Sequence, residues 1–254
     1  MQLRNQWLVI STLTFAEMKA RYRNTVAGVL WVMLNPLFMF GVHALIFKHI
    51  LKVDVSRYYI FLLSGLLPWL FINSALSQTV NCFISLRDAL LSFQIHPLSL
   101  ILSKCLDCFF NFLLPFIFLF AFLFEKENFN LYGVLSLPLS FLILIIGVSS
   151  LSTIFAILQV FFRDTQYLVN FLLSVMFFLT PIFYPRHLIP KDYQILVDIN
   201  PFFALINSFK IALWNYSDEK LISALLIGGS FAGALYLIAL FLWKKTRNEL
   251  YINI

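Results

Sequence analysis

Charge is what this sequence has least of. Only 12% of its 254 residues are Asp, Glu, Lys or Arg, while 61% are hydrophobic. Soluble domains carry about 25% charged residues, so a chain of this length could not cover a water-facing surface with so few. The solvent is mostly lipid. The size suggests one domain over residues 1–254. The acids that exist are scattered, which leaves no Asp/Glu cluster of the kind that holds a metal beside a polyprenyl diphosphate. None of the eight glycines falls in a GxxxxGK[ST] spacing, so the chain has no phosphate loop and cannot hydrolyse ATP itself. Leu63-Ser64-Gly65 has the look of an ATPase signature but sits inside an apolar run.

Cysteine is also sparse. Cys82, Cys105 and Cys108 lie in or beside apolar segments. The Cys105 and Cys108 pair has zinc-like spacing, yet no second pair or His cluster accompanies it, so packing is the simpler role and no metal site is expected. The N-terminus is polar and basic rather than built as a cleavable signal peptide. The net charge of +6 resides at the edges of apolar runs, without a basic face interleaved with aromatics. Topology and anionic headgroups explain it better than nucleic acid does.

Six apolar stretches are long enough to cross a hydrocarbon core, which takes about 20 residues in a helix. They cover about residues 25–49, 59–80, 98–124, 132–159, 166–184 and 221–243. An even number puts both termini on one side. Arg4, Lys19, Arg21 and Arg23 at one terminus, with Lys244, Lys245 and Arg247 at the other, mark that side as cytoplasmic. Lys48, Lys52 and Arg57 in the first outer loop run against the rule. The expected fold class is an all-α integral membrane protein with six transmembrane helices.

Three further segments have their own character. Residues 6–24 read as an amphipathic interface helix with Trp7, Leu8 and Phe15 at the membrane surface, or else as a solvated extension of the first span. Residues 85–96 read as a short cytoplasmic helix ending before Pro97. Its Leu86 and Leu91 beside Arg87 and Asp88 could enter a partner's groove, or serve as a plain connector. Residues 186–220 are too long for a structureless connection. Within them, Asn200 as cap and Pro201 at the first helical position begin an apolar run of about 14 residues, too short to cross. It suits a re-entrant or interfacial helix, and so a gate or pore mouth.

Inside the spans, acids are rare. Asp107 follows Lys104 by three residues, which predicts a local ion pair on one helix face or, failing that, a functional charge. A lone His43 reads as packing. The absence of mid-span acids in both halves argues against an ion-driven carrier. Two mixed aromatic and polar stripes stand out: Trp31, Asn35 and Phe38 in span one, and Tyr167, Phe171, Ser174 and Phe178 in span five. Aromatic faces can stack on sugar rings while Asn, Ser and Tyr bond hydroxyls. A helix-packing stripe would look the same.

The order of several short motifs resembles one family. Lys19-Ala20-Arg21-Tyr22-Arg23-Asn24-Thr25, followed by Gly28, Leu30-Trp31 and Asn35-Pro36-Leu37, is similar to the start of permease subunits of bacterial polysaccharide type-2 ABC exporters. Phe162-Arg163-Asp164-Thr165, Thr180-Pro181-Ile182-Phe183-Tyr184-Pro185 and Asn200-Pro201-Phe202 resemble that family's loop before span five, that span's outer end and the start of its outer gate helices. The resemblance implies a homodimeric channel in the bacterial inner membrane, with two copies of a separate ATPase that carries the ATP and Mg. It implies a coupling helix at 85–96, a gate at Asn200, Pro201 and Phe202, and a polysaccharide of O-antigen, capsule or teichoic-acid type on undecaprenyl diphosphate or a similar lipid. Arg21 and Arg23 would then either hold the lipid diphosphate or simply anchor the topology. A drug or small-lipid permease of the same class, and a non-ABC membrane enzyme of glycan assembly, remain as alternatives.

Overall fold

Tyr58–Thr79 forms the helix around which the others assemble, and it explains why most of the remaining helices can leave one side uncovered. In the computed structural model, which describes residues 2–22, 28–93, 96–124 and 129–253, 78% of this helix's apolar window is buried inside the protein. The chain order is α1 (Gln2–Tyr22), α2 (Gly28–Ala44, continued by a π-turn over Leu45–Ile50), α3 (Tyr58–Thr79), α4 (Cys82–Ser85), α5 (Arg87–Phe93) and α6 (Pro97–Phe124). Then come α7 (Leu131–Phe161), α8 (Thr165–Leu179), two 3₁₀ turns, α9 (Gln194–Asp198), α10 (Pro201–Leu213) and α11 (Asp218–Asn253). Among the described residues there is no strand. Helices are what lipid demands, because they satisfy every backbone group within the segment.

Five helical stretches are long and apolar enough to cross a membrane: α2 with its π-turn, α3, α6, α7 and α11. The span expected over 166–184 is shorter as a helix, 15 residues in α8. It nonetheless crosses. Asn81, just past one end of α3, donates to Gln166 in the first turn of α8, and Tyr58, at the other end of α3, donates to the carbonyl of Phe183 at 3.2 Å. The segment 166–183 thus covers the same height as all of α3. Helix supplies about 22 Å of that, at roughly 1.5 Å per residue, and non-helical backbone after Thr180 supplies the rest. Pro181 forces the change by excluding the helical conformation at Thr180, which is extended (φ −84°, ψ 125°).

Both termini lie at one end. Thr14 of α1 reaches the carbonyl of Ser103 in α6 at 3.3 Å, and Trp243 of α11 stacks near His96 at 5.4 Å. α1 packs on α6 through Ile10 and Thr14 and leaves Trp7, Leu8 and Phe15 exposed on its other side, as the interface-helix reading expects. Lys104 makes its ion pair with Glu17 of α1 at 2.7 Å, not along its own helix with Asp107. The i, i+3 pairing expected from spacing gives way because α1 lies across that face of α6. Asp107 is buried and accepts from the Asn111 amide, one turn on, at 3.2 Å.

The core is mostly aliphatic, with a ladder of aromatic rings running through it. Phe112, Phe116 and Phe209 all meet Phe141, at 5.8, 5.1 and 5.2 Å between centroids, tying α6, α7 and α10 together. Cys105 and Cys108 are buried in α6, with Cys105 donating to Ser152 of α7 at 3.5 Å. In lipid, burial gives little driving force, so close backbone approach and dispersion decide which helices pack. Glycines allow α10 that approach. A Cβ on Gly147 of α7 would sit 2.6 Å from a Leu205 methyl carbon, and one on Gly228 of α11 would sit 2.8 Å from the carbonyl oxygen of Ala204.

The two neighbouring glycines of α11 give a direct check. Gly228→Val should lower the unfolding midpoint of the purified protein in detergent by the equivalent of about 1–3 kcal/mol, the usual cost of overpacking. Gly229→Val, where a Cβ meets only one methyl carbon at 4.0 Å, should leave that midpoint unchanged.

Candidate functional site

The far end of the molecule, opposite the termini, is organised by a break in the membrane-crossing backbone. After Leu179 the chain leaves helical hydrogen bonding, so its carbonyls need partners outside their own helix. The Lys210 ammonium, carried by α10, donates to the carbonyls of Pro181 and of Ile182, the latter at 3.3 Å. Tyr58 takes the next carbonyl, that of Phe183. Lys210 is buried, lies over the Phe61 ring at 3.9 Å from its centroid, and passes so near α3 that a Cβ on Gly65 would fall 2.8 Å from its Cε.

α10, the short apolar helix expected after Asn200 as re-entrant or interfacial, runs over 13 residues. Asn200 caps it, its side-chain oxygen accepting from the backbone N–H groups of Phe202 at 2.9 Å and Phe203 at 3.3 Å, with Pro201 at the first position. The Asn200 amide also donates to the Thr180 hydroxyl at 2.9 Å, joining the bottom of α10 to the end of α8. Phe202 lies edge-on to Trp69, 5.6 Å away, and Phe177 of α8 lies 5.7 Å from the same ring. Trp69 is eleven residues along α3 from Tyr58, roughly 16 Å at 1.5 Å per residue, so α10 begins about halfway along α3. The stretch before it, Lys191–Asp198, is bent from it by 94°. Arg186 and Asp198 close the hairpin at 2.7 Å. Asn200 and Phe202 are buried among side chains of their own protomer, Asn200 as a cap and Phe202 against Trp69.

The first loop locks onto this hairpin. Arg57, in left-handed backbone at φ 50°, donates to the carbonyl of Trp214, whose indole N–H donates to the Ser56 carbonyl at 2.6 Å. One of the loop cations that ran against the charge rule therefore has a structural task.

The two sequence stripes both lie on faces without a covering partner. Trp31, Asn35 and Phe38 on α2, and Tyr167, Phe171, Ser174 and Phe178 on α8, are all exposed. α2 and α8 meet at the far end, where His43 stacks on Phe183 at 4.7 Å and lies edge-on to Phe177 at 5.7 Å. The α2 stripe divides. Trp31 and Asn35 also line a cavity of about 500 Å³ between α2, α3 and α6, together with Asn73, Ser74 and Asn111, whereas Phe38 does not.

At the terminal end, the helix expected over 85–96 is α5, which carries Arg87 and Asp88 and follows the short α4 across a break at Leu86 (φ −111°, ψ 24°). Residues 94 and 95 fall outside the described residues. Arg87 and Asp88 are exposed, while Leu86 is partly buried and Leu90 is buried against the core. Leu91 is placed in α5 by its backbone. Arg21 lies in the last turn of α1, and Arg23 is outside the described residues. Sequence reasoning passed over Lys210, although a lone cation within an apolar run was signal enough. It also missed Gln159, which clamps the α7–α8 turn by donating to the Arg163 carbonyl at 3.0 Å and accepting from the Gln166 backbone N–H at 2.7 Å. Among the described residues no group of three metal-ligating side chains occurs.

Residues 9–214 match the family described as ABC-2 type transporter, and the chain belongs to that family of multi-pass membrane proteins. It is 28% identical over 211 residues to an O-antigen export system permease protein RfbA of Klebsiella pneumoniae, covering 82% of this chain and 80% of that protein. A protein of the same description from Myxococcus xanthus is 27% identical over 214 residues, covering 82% and 81%. The polysialic acid transport protein KpsM of Escherichia coli is 27% identical over 202 residues, 77% of each chain.

The double role of Asn200 sets an expectation for stability. Asn200→Ala should cost about 1–2 kcal/mol, the usual loss of a helix cap, with a further loss for the bond to Thr180. Asn200→Asp keeps the capping oxygen and should retain most of the midpoint in detergent melts.

Proposed function

We propose that this chain is the membrane-channel subunit of an ATP-driven exporter of lipid-linked polysaccharide of O-antigen, capsule or teichoic-acid type. Two copies would form the path, and two copies of a separate ATPase subunit would carry the ATP and Mg and do the hydrolysis. The observation that carries the reading is the placement of the seven stripe residues. All of them stand exposed on α2 and α8, two helices that meet at the far end, with Trp31 and Asn35 also lining the cavity beside α3 and α6. A second copy facing these residues encloses a route on which sugar rings can stack and slide, since aromatic faces tolerate changes of register. The polysaccharide relatives support the same substrate class.

The mechanism follows from where the pieces lie. In this reading the termini are cytoplasmic, in the bacterial inner membrane, and α1 lies on the inner surface with Trp7, Leu8 and Phe15 in the headgroup layer. The ATPase docks on the terminal end, where Arg87 and Asp88 are exposed on α5 beside Leu86 and Leu91. Closure of the ATPases on ATP pushes α5, and the packing of α4 against α6 and α7 carries that push into the spans. α2 and α8 of the two copies then part. Arg21 and Arg23 precede α2 in the sequence, and in this reading they would hold an undecaprenyl diphosphate or similar anchor by charge-assisted hydrogen bonds. Asn200, Pro201 and Phe202 fix the inner end of the gate helix α10, so its movement would follow that of α8 through Thr180.

Two outcomes test this. Trp31→Ala and Tyr167→Ala should each reduce surface polysaccharide several-fold in cells while the ATPase still co-purifies. Equal loss of both would show that the stripes hold the fold and do not line a path. Arg87→Glu with Asp88→Lys should abolish ATPase co-purification from native membranes with the permease still folded. A chain that never co-purifies with an ATPase, under conditions that keep other complexes intact, would remove the reading.

A further inference from the structure

The Lys210 ammonium has a surplus. A neutral amide or hydroxyl could satisfy the carbonyls of Pro181 and Ile182, and a buried positive charge is costly wherever no counter-charge meets it. These carbonyls take two of its N–H donors, and the Phe61 ring lies beside the nitrogen at 3.9 Å from its centroid. Lys210 opens on a second cavity, of about 170 Å³, at the far end between α10 and the non-helical segment after α8. Arg186 and Lys220 line the same cavity, with Asn207, Phe61 and Trp214. Among the described residues, three basic side chains line it and no acid does. Asp198 offsets Arg186 from outside the lining, and the nearby Asp218 is engaged by the Tyr216 hydroxyl.

From this arrangement we infer a binding site for an anionic group, a phosphate or a carboxylate, at the far-end mouth of each protomer. Its size admits one such group and the ring that carries it. Lys210 and Lys220 supply charge, Asn207 a hydrogen-bonding amide, and the Phe61 and Trp214 rings an apolar wall. The anion has two possible carriers, an acidic or phosphorylated sugar of a passing glycan or the headgroup of a membrane lipid. Only the glycan source rests on the export reading above. A bound anion would bridge α10, the non-helical segment after α8 and the first turn of α11, the elements that close this end.

The site is tested by binding alone. The full-length chain, purified as the complex it forms in its native membrane, is placed in phosphatidylcholine nanodiscs and titrated calorimetrically with glucuronate, inorganic phosphate and glucose. Saturable binding of either anion but not of glucose is expected, weakened at least tenfold by Lys220→Gln and by Asn207→Asp, which puts a carboxylate in the cavity. If the carrier is lipid, the soluble anions give no heat. Native mass spectrometry of mixed discs then finds retained phosphatidylglycerol, which the same two variants lose. Lys210→Met should show the same loss wherever it folds. Binding and retention that are absent, or indifferent to both Lys220→Gln and Asn207→Asp, would overturn the site. Anion binding without polysaccharide export would remove the export reading and keep the site, and the converse would do the opposite.

Discussion

A membrane-crossing chain that leaves the helix must find hydrogen-bond donors for its carbonyls from other parts of the protein, and most of this structure's far end follows from that constraint. Between Thr180 and Tyr184 the backbone is non-helical and bent. The Lys210 ammonium and the Tyr58 hydroxyl supply donors there. To reach the break, Lys210 is carried on a short helix, and Asn200 caps that helix. Gly65 of α3 leaves space for the lysine stem, and Gly147 and Gly228 leave space for the helix itself.

The same constraint separates a fixed part of the molecule from a part built to move. α3, α6, α7, α10 and the first half of α11 share a ring-stacked and glycine-tightened interior in which overpacking has nowhere to go. α2 and α8 are held differently. Only 6% of the apolar window of α2 is buried, and α8 keeps a full face uncovered. Helices with one committed face can shift against the bundle without breaking its interior, as the proposed path between two protomers would require. His43, stacked on Phe183 and edge-on to Phe177, links the two mobile helices to each other and to the break.

The terminal end shows a second kind of division. The break at Leu86 separates α4, sunk into the bundle with Cys82 and Phe83 fully buried, from α5, which exposes Arg87 and Asp88 while Leu90 stays anchored. A force applied to α5 is therefore delivered to the interior through a short lever and not through a loop. α1, pinned by Ile10, Thr14 and the Glu17–Lys104 pair, keeps α6 registered to the membrane surface on that side.

By itself the sequence determined the features that depend on local composition. Runs of apolar residues set the crossings, basic clusters set the ends, and Asn200-Pro201 set the start of α10, because hydropathy, capping and the missing proline N–H act over a few neighbours. Even the stripes on α2 and α8 were legible, since helical periodicity decides which residues share a face. Only the tertiary structure decided what each polar side chain does. Spacing paired Lys104 with Asp107, but α1 lies across α6 and offers Glu17 at 2.7 Å instead. Spacing put one short helix in 85–96, where α5 lies, but only the fold shows that it buries Leu90 while Arg87 and Asp88 stay exposed. Lys210 could be flagged as an oddity in an apolar run, yet its partners lie 28 and 29 residues away. A hydrogen bond or ion pair is made with whatever folding brings within about 3 Å, and for these residues that neighbour is distant in sequence.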